Sequence, residues 1–275
     1  MVEHGASTGV TSPKKVNWIN ILLWTCTVLI YAFLALPVIV VVLSAFSPTP
    51  FPQFPPTHVS IKWFLAVLNN SEWMDAFRIS LILLVIVTPV TVILGTLAAY
   101  GISRLEFRGR QVIQALMLSP LMMPEITLGI MLLYAFTLFG FVGTIWALVI
   151  GHTLVAFPYV VRTVSVSLAG LDRTLEDASM NLGAGPVVTF RQVTLPLMRP
   201  GIIAGAVFAS VTSFGEVSVS LLVNGPQTIT IPVRIYNYIQ QTFDPSVNAV
   251  SVIFVVLAIG TLVVIERRFG LTRVL

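Results

Sequence analysis

Residues 172–200 read DRTLEDASMNLGAGPVVTFRQVTLPLMRP. Asp172 can cap a short helix from the position before it, which leaves Glu176 and Asp177 near the positive end of the helix dipole. Gly183 stands where a left-handed glycine would end that helix, and Pro186 prevents its continuation. Pro186 can also open a second short helix, carrying Val187, Val188, Phe190 and Val193 to a stop at Leu195-Pro196. The spacing predicts two short amphipathic helices joined by a sharp Gly-Ala-Gly-Pro turn. By itself this pattern says no more than an amphipathic hairpin, and a generic interfacial helix shares most of its features.

What flanks the hairpin decides the fold. The chain has 275 residues, of which 56% are hydrophobic and 9% charged. An ordinary soluble domain has about 25% charged residues. So few charges exclude a cytosolic globular enzyme and a disordered chain, and they favour a polytopic membrane protein with about 20 apolar residues per span. Charge-free stretches predict spans at about 20–46, 79–103, 111–139 (interrupted only by Glu125), 144–161, 201–223 (with Glu216 inside it) and 247–265. The first is too long for the apolar core of a secretory signal and no small-residue cleavage site closes it, so it reads as an uncleaved helix. The expectation is an all-α membrane protein: a tail at 1–15, a six-span domain at 16–268 whose long loop is 163–200, and a tail at 269–275.

Basic residues orient the spans. Lys14, Lys15, Arg104, Arg108, Arg110, Arg162, Arg173, Arg191, Arg199, Arg267, Arg268 and Arg273 fall on the side shared by both termini and the hairpin. Only Lys62, Arg78 and Arg234 fall on the other, a bias that makes the first side cytoplasmic. On the outer side, the Pro-rich run from Ser47 to Pro56 reads as extended chain lying against other elements, and Lys62-Trp63-Phe64 opens a short amphipathic segment. Val233 to Gln241 reads as a helix, either at a pore mouth or simply at the interface. Cys26 is the one cysteine, which excludes an intramolecular disulfide and a Cys-based metal site. No face collects enough Lys or Arg for nucleic acid.

Here the hairpin resembles a known family. Asp177-Ala178-Ser179, three residues, Gly183, nine residues and Val193-Thr194-Leu195-Pro196 match the E-A-A-x3-G-x9-I-x-L-P motif of ABC-importer permease subunits. Asp replaces Glu, Ser the second Ala and Val the Ile, each substitution conserving charge, size or branching. Looser similarities point to the permeases of polyamine-type importers: Phe54-Pro55-Pro56 with Trp63-Phe64, Pro120-x-x-x-Pro124-Glu125-Ile126, and Phe214-Gly215-Glu216 with Ile231-Pro232-Val233-Arg234. Relatives that move ferric ion, opines or phosphonates share several of these. The resemblance implies the type I ABC-importer permease fold in a bacterial inner membrane, and it makes 163–200 a coupling loop docking on a cytoplasmic ATPase. Ala178 and Ser179 would allow close approach, Gly183 the turn, Asp177 or Glu176 a pair with a basic residue of the ATPase. Leu195 and Pro196, with Pro200, would pass the push into the fifth span. It further implies a second permease, homologous or identical, two ATPase subunits that hold the ATP and magnesium, and a periplasmic substrate-binding protein. Alternating access would then carry the substrate.

Glu125 and Glu216 are the carboxylates placed well inside spans. An ionised group there costs on the order of 3 kcal/mol on insertion scales, so it tends to face a polar cavity or a partner. Both are expected on the substrate path, supplying negative charge to a cation; for each, a quiet interhelical hydrogen bond is the competing reading. His152 has no Asp, Glu or Cys at ligand spacing and reads as a packing hydrogen-bonder. Gly201-x-x-x-Gly205 fits close helix packing. The sequence lacks a P-loop and any HExxH, GxSxG or Cys-His cluster, so it predicts neither catalysis nor a cofactor in this chain, and energy must come from another subunit. A channel or secondary transporter would explain the carboxylates but leave the hairpin motif idle.

Overall fold

The computed structural model describes residues 18–49, 58–242 and 245–269, and every regular element among them is helical. The chain forms α1 (Trp18–Ala45), α2 (Lys62–Leu68), α3 (Ser71–Arg104), α4 (Arg110–Leu118), α5 (Glu125–Phe139), α6 (Ile145–Ala169), α7 (Thr174–Asn181), α8 (Pro186–Thr189), α9 (Leu195–Leu197), α10 (Arg199–Gly215), α11 (Ser218–Val223), α12 (Ile231–Gln241) and α13 (Ser246–Phe269). α1, α3, α6 and the stretch Ser246–Val264 of α13 are each long and apolar enough to cross a bilayer. Two bent pairs bring the candidate spans to six when each pair is counted as one: residues 110–122 with α5, meeting at 108°, and residues 186–197 with α10, meeting at 69°. The Pro-rich outer segment falls partly outside the described residues, as do the two tails.

The ends of these helices follow local rules. Asn70 Oδ1 accepts from the backbone N–H groups of Glu72 (2.9 Å) and Trp73 (3.3 Å) and so caps α3. Thr144 does the same for α6 through Ala147 N–H at 3.2 Å. The outer segments form at their expected places, α2 from Lys62 and α12 to Gln241. Arg234 on α12 pairs with Glu72 and lies over the Trp73 ring.

α6 is the centre. It packs on both α3 and α10, and over half of its most apolar stretch is buried, against none for α1. α1 instead lies along α13 and exposes Trp18, Trp24 and Phe33, as expected of a helix bathed in lipid. Close approach of α10 to α6 depends on Gly201, where an added Cβ would stand 2.5 Å from the Ser167 Cβ. That explains the Gly201-x-x-x-Gly205 spacing.

Three features differ from the sequence expectation. α6 runs past Val161 to Ala169, because nothing breaks it before Gly170 and it buries Val164 and Leu168. The third span is not one helix: Ser119–Met122 is a 3-10 turn and Met123 and Pro124 are extended, since Pro120 and Pro124 remove donors. The expected stop at Leu195-Pro196 is helical instead. A π turn over Phe190–Thr194 gives the backbone slack ahead of Pro196, and the bend comes later, at Met198 and Arg199.

Candidate functional site

The hairpin is built as the sequence reads. Asp172 Oδ1 accepts from Thr174 N–H at 3.0 Å, and the hydrogen bonds from the Thr174 backbone and side chain hold the Asp172 carboxyl below the usual carboxylate range. At the other end of α7, Gly183 adopts φ +90°, with Gly183 N–H bound to Met180 O and Ala184 N–H to Ser179 O. A side chain at that angle is strained, so the turn needs glycine. Ser179 Oγ lies 3.0 Å from Thr189 Oγ1, which joins α7 to α8.

The two adjacent acids point different ways. Glu176 is turned inward, its side chain only 14% exposed. It receives Arg104 Nε, 2.9 Å from Oε2, and Thr194 Oγ1, 2.8 Å from Oε1. One carboxylate thus ties α7 to the end of α3 and to the π turn, while Tyr100 and Phe190 meet edge to face at 4.6 Å beside it. Asp177 is exposed and has no ion pair or side-chain hydrogen bond among the described residues. Of the two, Asp177 is the one free for a partner subunit. On another face of α7 lies an open groove of about 650 Å³ lined by Leu175, Ala178, Ser179, Leu182, Val193 and Pro196, among others. Leu182 is 89% exposed and Val187 77%, an apolar tip that water alone would not favour. Leu195 is half-buried and packs behind the groove, near buried Met198.

Glu125 and Glu216 each stand at a helix break. Glu125 stands in the first turn of α5, exposed, with Ser218 Oγ 3.4 Å from its Oε2. Glu216 is buried, 4% exposed, in an extended residue between α10 and α11. Its carboxylate accepts from Val219 N–H (2.6 Å), Ser220 N–H (2.8 Å) and Ser220 Oγ (2.7 Å). Those donors are the ones a helix start leaves without partners, and inside a membrane no water can serve them. Glu216 therefore caps α11 from within the span.

His152 completes the break. It is 1% exposed, with Nδ1 3.0 Å from Ser213 Oγ and Nε2 2.7 Å from Ser220 Oγ; Nε2 also lies 3.6 Å from Glu216 Oε2. Ser220 Oγ–H donates to Glu216, so the same oxygen accepts from Nε2–H of His152.

Sequence reasoning placed the hairpin and read His152 as a hydrogen-bonder, but missed Arg104 and Thr194 as partners of Glu176 and Ser213 and Ser220 as partners of His152. Nothing near those residues in the chain signals them. The exposed tip was legible in one respect: Leu182 is a large apolar residue beside a turn.

Helix breaks within the apolar segments and an apolar-tipped hairpin beside them are features of a polytopic membrane protein. A family model described as "binding-protein-dependent transport system inner membrane component" matches residues 91–269. The spermidine/putrescine transport system permease protein PotC of Escherichia coli K12 is 31% identical over 230 residues, 84% of this chain and 87% of that protein. The putrescine transport system permease protein PotI of the same strain is 31% identical over 202 residues, 70% of this chain and 71% of that protein. A crystal structure of a bacterial ABC transporter that imports alginate shares the fold, at a TM-score of 0.72 and 14% identity, over 94% of this chain and 100% of that one. The chain belongs to the family of binding-protein-dependent transport system inner membrane components; it is a multi-pass inner-membrane permease subunit of an ABC importer.

Proposed function

We propose that this permease carries a small cation, most directly a polyamine such as spermidine or putrescine. The observation that carries the reading is the 31% identity to PotC across 84% of the chain. Exposed Glu125 beside the break supports it. α5 and α11 pack together and both begin at this point. Glu216 is committed to the α11 backbone, whereas Glu125 has an oxygen to offer a passing ammonium group. Glu125 is then the path residue and Glu216 holds the break in shape, both belonging to the substrate path in these different ways.

A second permease completes the path, and two cytoplasmic ATPase subunits dock at the Asp177–Leu182 tips, leaving ATP hydrolysis outside this chain. A periplasmic binding protein delivers the substrate on the face opposite the hairpin, and both termini share the hairpin's cytoplasmic side. When the ATPases close, Glu176 and Arg104 move the hairpin with α3 rather than letting it swing freely.

The test is labelled spermidine uptake by the reconstituted importer. Wild type should accumulate spermidine in an ATP-dependent way. Glu125→Gln should lower uptake about tenfold, the loss of roughly one charge-assisted contact, while still binding its ATPases. A binding protein that retains ferric ion, an opine or a phosphonate instead of polyamine would refute the substrate. Unchanged uptake in Glu125→Gln would refute the path residue.

A further inference from the structure

Beside the root of the hairpin lies a cavity of about 520 Å³ between the end of α3, the start of α4 and the end of α6. Arg104, Arg110 and Arg173 line it. The Arg104 side chain is 10% exposed, and while Nε serves Glu176, its Nη2 is buried and reaches no hydrogen-bond acceptor among the described residues. A buried guanidinium N–H without an acceptor is costly, and Arg104 is one of the residues that line this cavity. Arg110 makes no ion pair or side-chain hydrogen bond among the described residues, and Arg173 spends one Nη2 bond, 3.0 Å long, on Ser103 O. The nearby carboxylates are occupied: Glu176 is bound by Arg104, and Asp172 on the rim accepts from Thr174. The cavity is therefore net positive.

A second cavity of about 490 Å³ adjoins it. Ala169 lines both, and the groove continues along Ile102, Leu118, Leu121, Val161 and Val166. Arg162 and Gln114 stand on its walls as polar residues with long stems. α4, which forms one wall, buries no residue and leaves Val112 and Leu116 more than 60% exposed, as a helix lying in lipid does. An anion pocket opening into an apolar groove at a helix end has the chemistry of a phospholipid, head first and tail after. A free phosphate would use the first cavity and leave the second idle.

We infer that an anionic phospholipid of the leaflet on the hairpin side binds here, its phosphate on Arg104, Arg110 and Arg173 and one acyl chain in the adjoining groove. The site puts membrane charge on the same arginine that holds Glu176, so bilayer composition is felt at the coupling lever.

The complete transporter, purified with its ATPase partners in detergent, is exposed to equal phosphatidylglycerol and phosphatidylcholine, and retained lipid is read by native mass spectrometry. Wild type should retain phosphatidylglycerol preferentially. Arg110→Gln should cut that preference about fivefold, the usual worth of one basic residue at an anionic surface. Val166→Trp, which fills the groove, should lower phosphatidylglycerol retention with the arginines intact. ATPase co-purification confirms that both variants assemble, and Arg110→Gln alone is sufficient if Val166→Trp does not. Equal retention of the two lipids, or an unchanged preference in Arg110→Gln, refutes the site. Displacement of the lipid by excess inorganic phosphate would assign the arginines to a free anion and overturn the phospholipid.

Discussion

Replacing Glu176 by Gln tests whether the hairpin is a rigid lever. The substitution keeps the volume and one acceptor oxygen but removes the charge that faces Arg104 Nε at 2.9 Å. Both side chains are mostly buried, 10% and 14% exposed, so solvent screens the pair weakly. Removing one partner of a buried pair costs about 3–5 kcal/mol, and the remaining amide oxygen returns part of it. A net loss of about 2–3 kcal/mol is expected, which acts on the docking of α7 because α3 and α7 meet here across 72 positions of sequence. Amide hydrogen exchange in α7 should therefore accelerate about 30–150-fold, at roughly tenfold per 1.4 kcal/mol, while α6 amides stay protected. In proteoliposomes the same variant should hydrolyse more ATP per substrate moved, because a loosened hairpin absorbs part of the stroke. Arg104→Gln should loosen α7 similarly, and the double variant should cost less than the sum. Strict additivity, or α7 exchange at the wild-type rate, would refute the lever.

Other outcomes follow from the same geometry. Leu182→Asp should insert and fold as wild type, since the residue is 89% exposed, yet lose ATPase co-purification; normal co-purification would remove Leu182 from the docking tip. Gly201→Ala places a methyl 2.5 Å from Ser167 Cβ and should destabilise the α6–α10 contact by about 1–3 kcal/mol, lowering the melting temperature, whereas Gly185→Ala has open space and should not. Glu216→Ala should cost more stability than Glu216→Gln, by about 1–2 kcal/mol, because only the amide can still accept from the α11 backbone. Equal melting of the two would mean the cap is idle.

The spans were legible because each is a long apolar run with at most one charge, a pattern written in neighbouring residues. The hairpin was legible for the same reason: Asp172, Gly183 and Pro186 act on backbone within a few positions of themselves. The breaks were visible only in part. Pro120 and Pro124 announce the first, but nothing near Gly215 says that Glu216 reaches forward to cap α11, since a carboxylate inside an apolar run fits a path, a pair or a cap equally well.

The sequence by itself determined an all-helical membrane fold and the two-helix hairpin. Tertiary structure alone decided which of two adjacent acids faces outward, because Glu176 is held by Arg104 and Thr194 while Asp177 meets solvent. It also decided that His152, 61 positions from Ser213 and 68 from Ser220, belongs to the break of the fifth span. Local structure follows from short-range sterics and hydrogen bonding, which a sequence displays directly. The partner of a buried charge is chosen by how distant helices pack, and that choice exists only once they have.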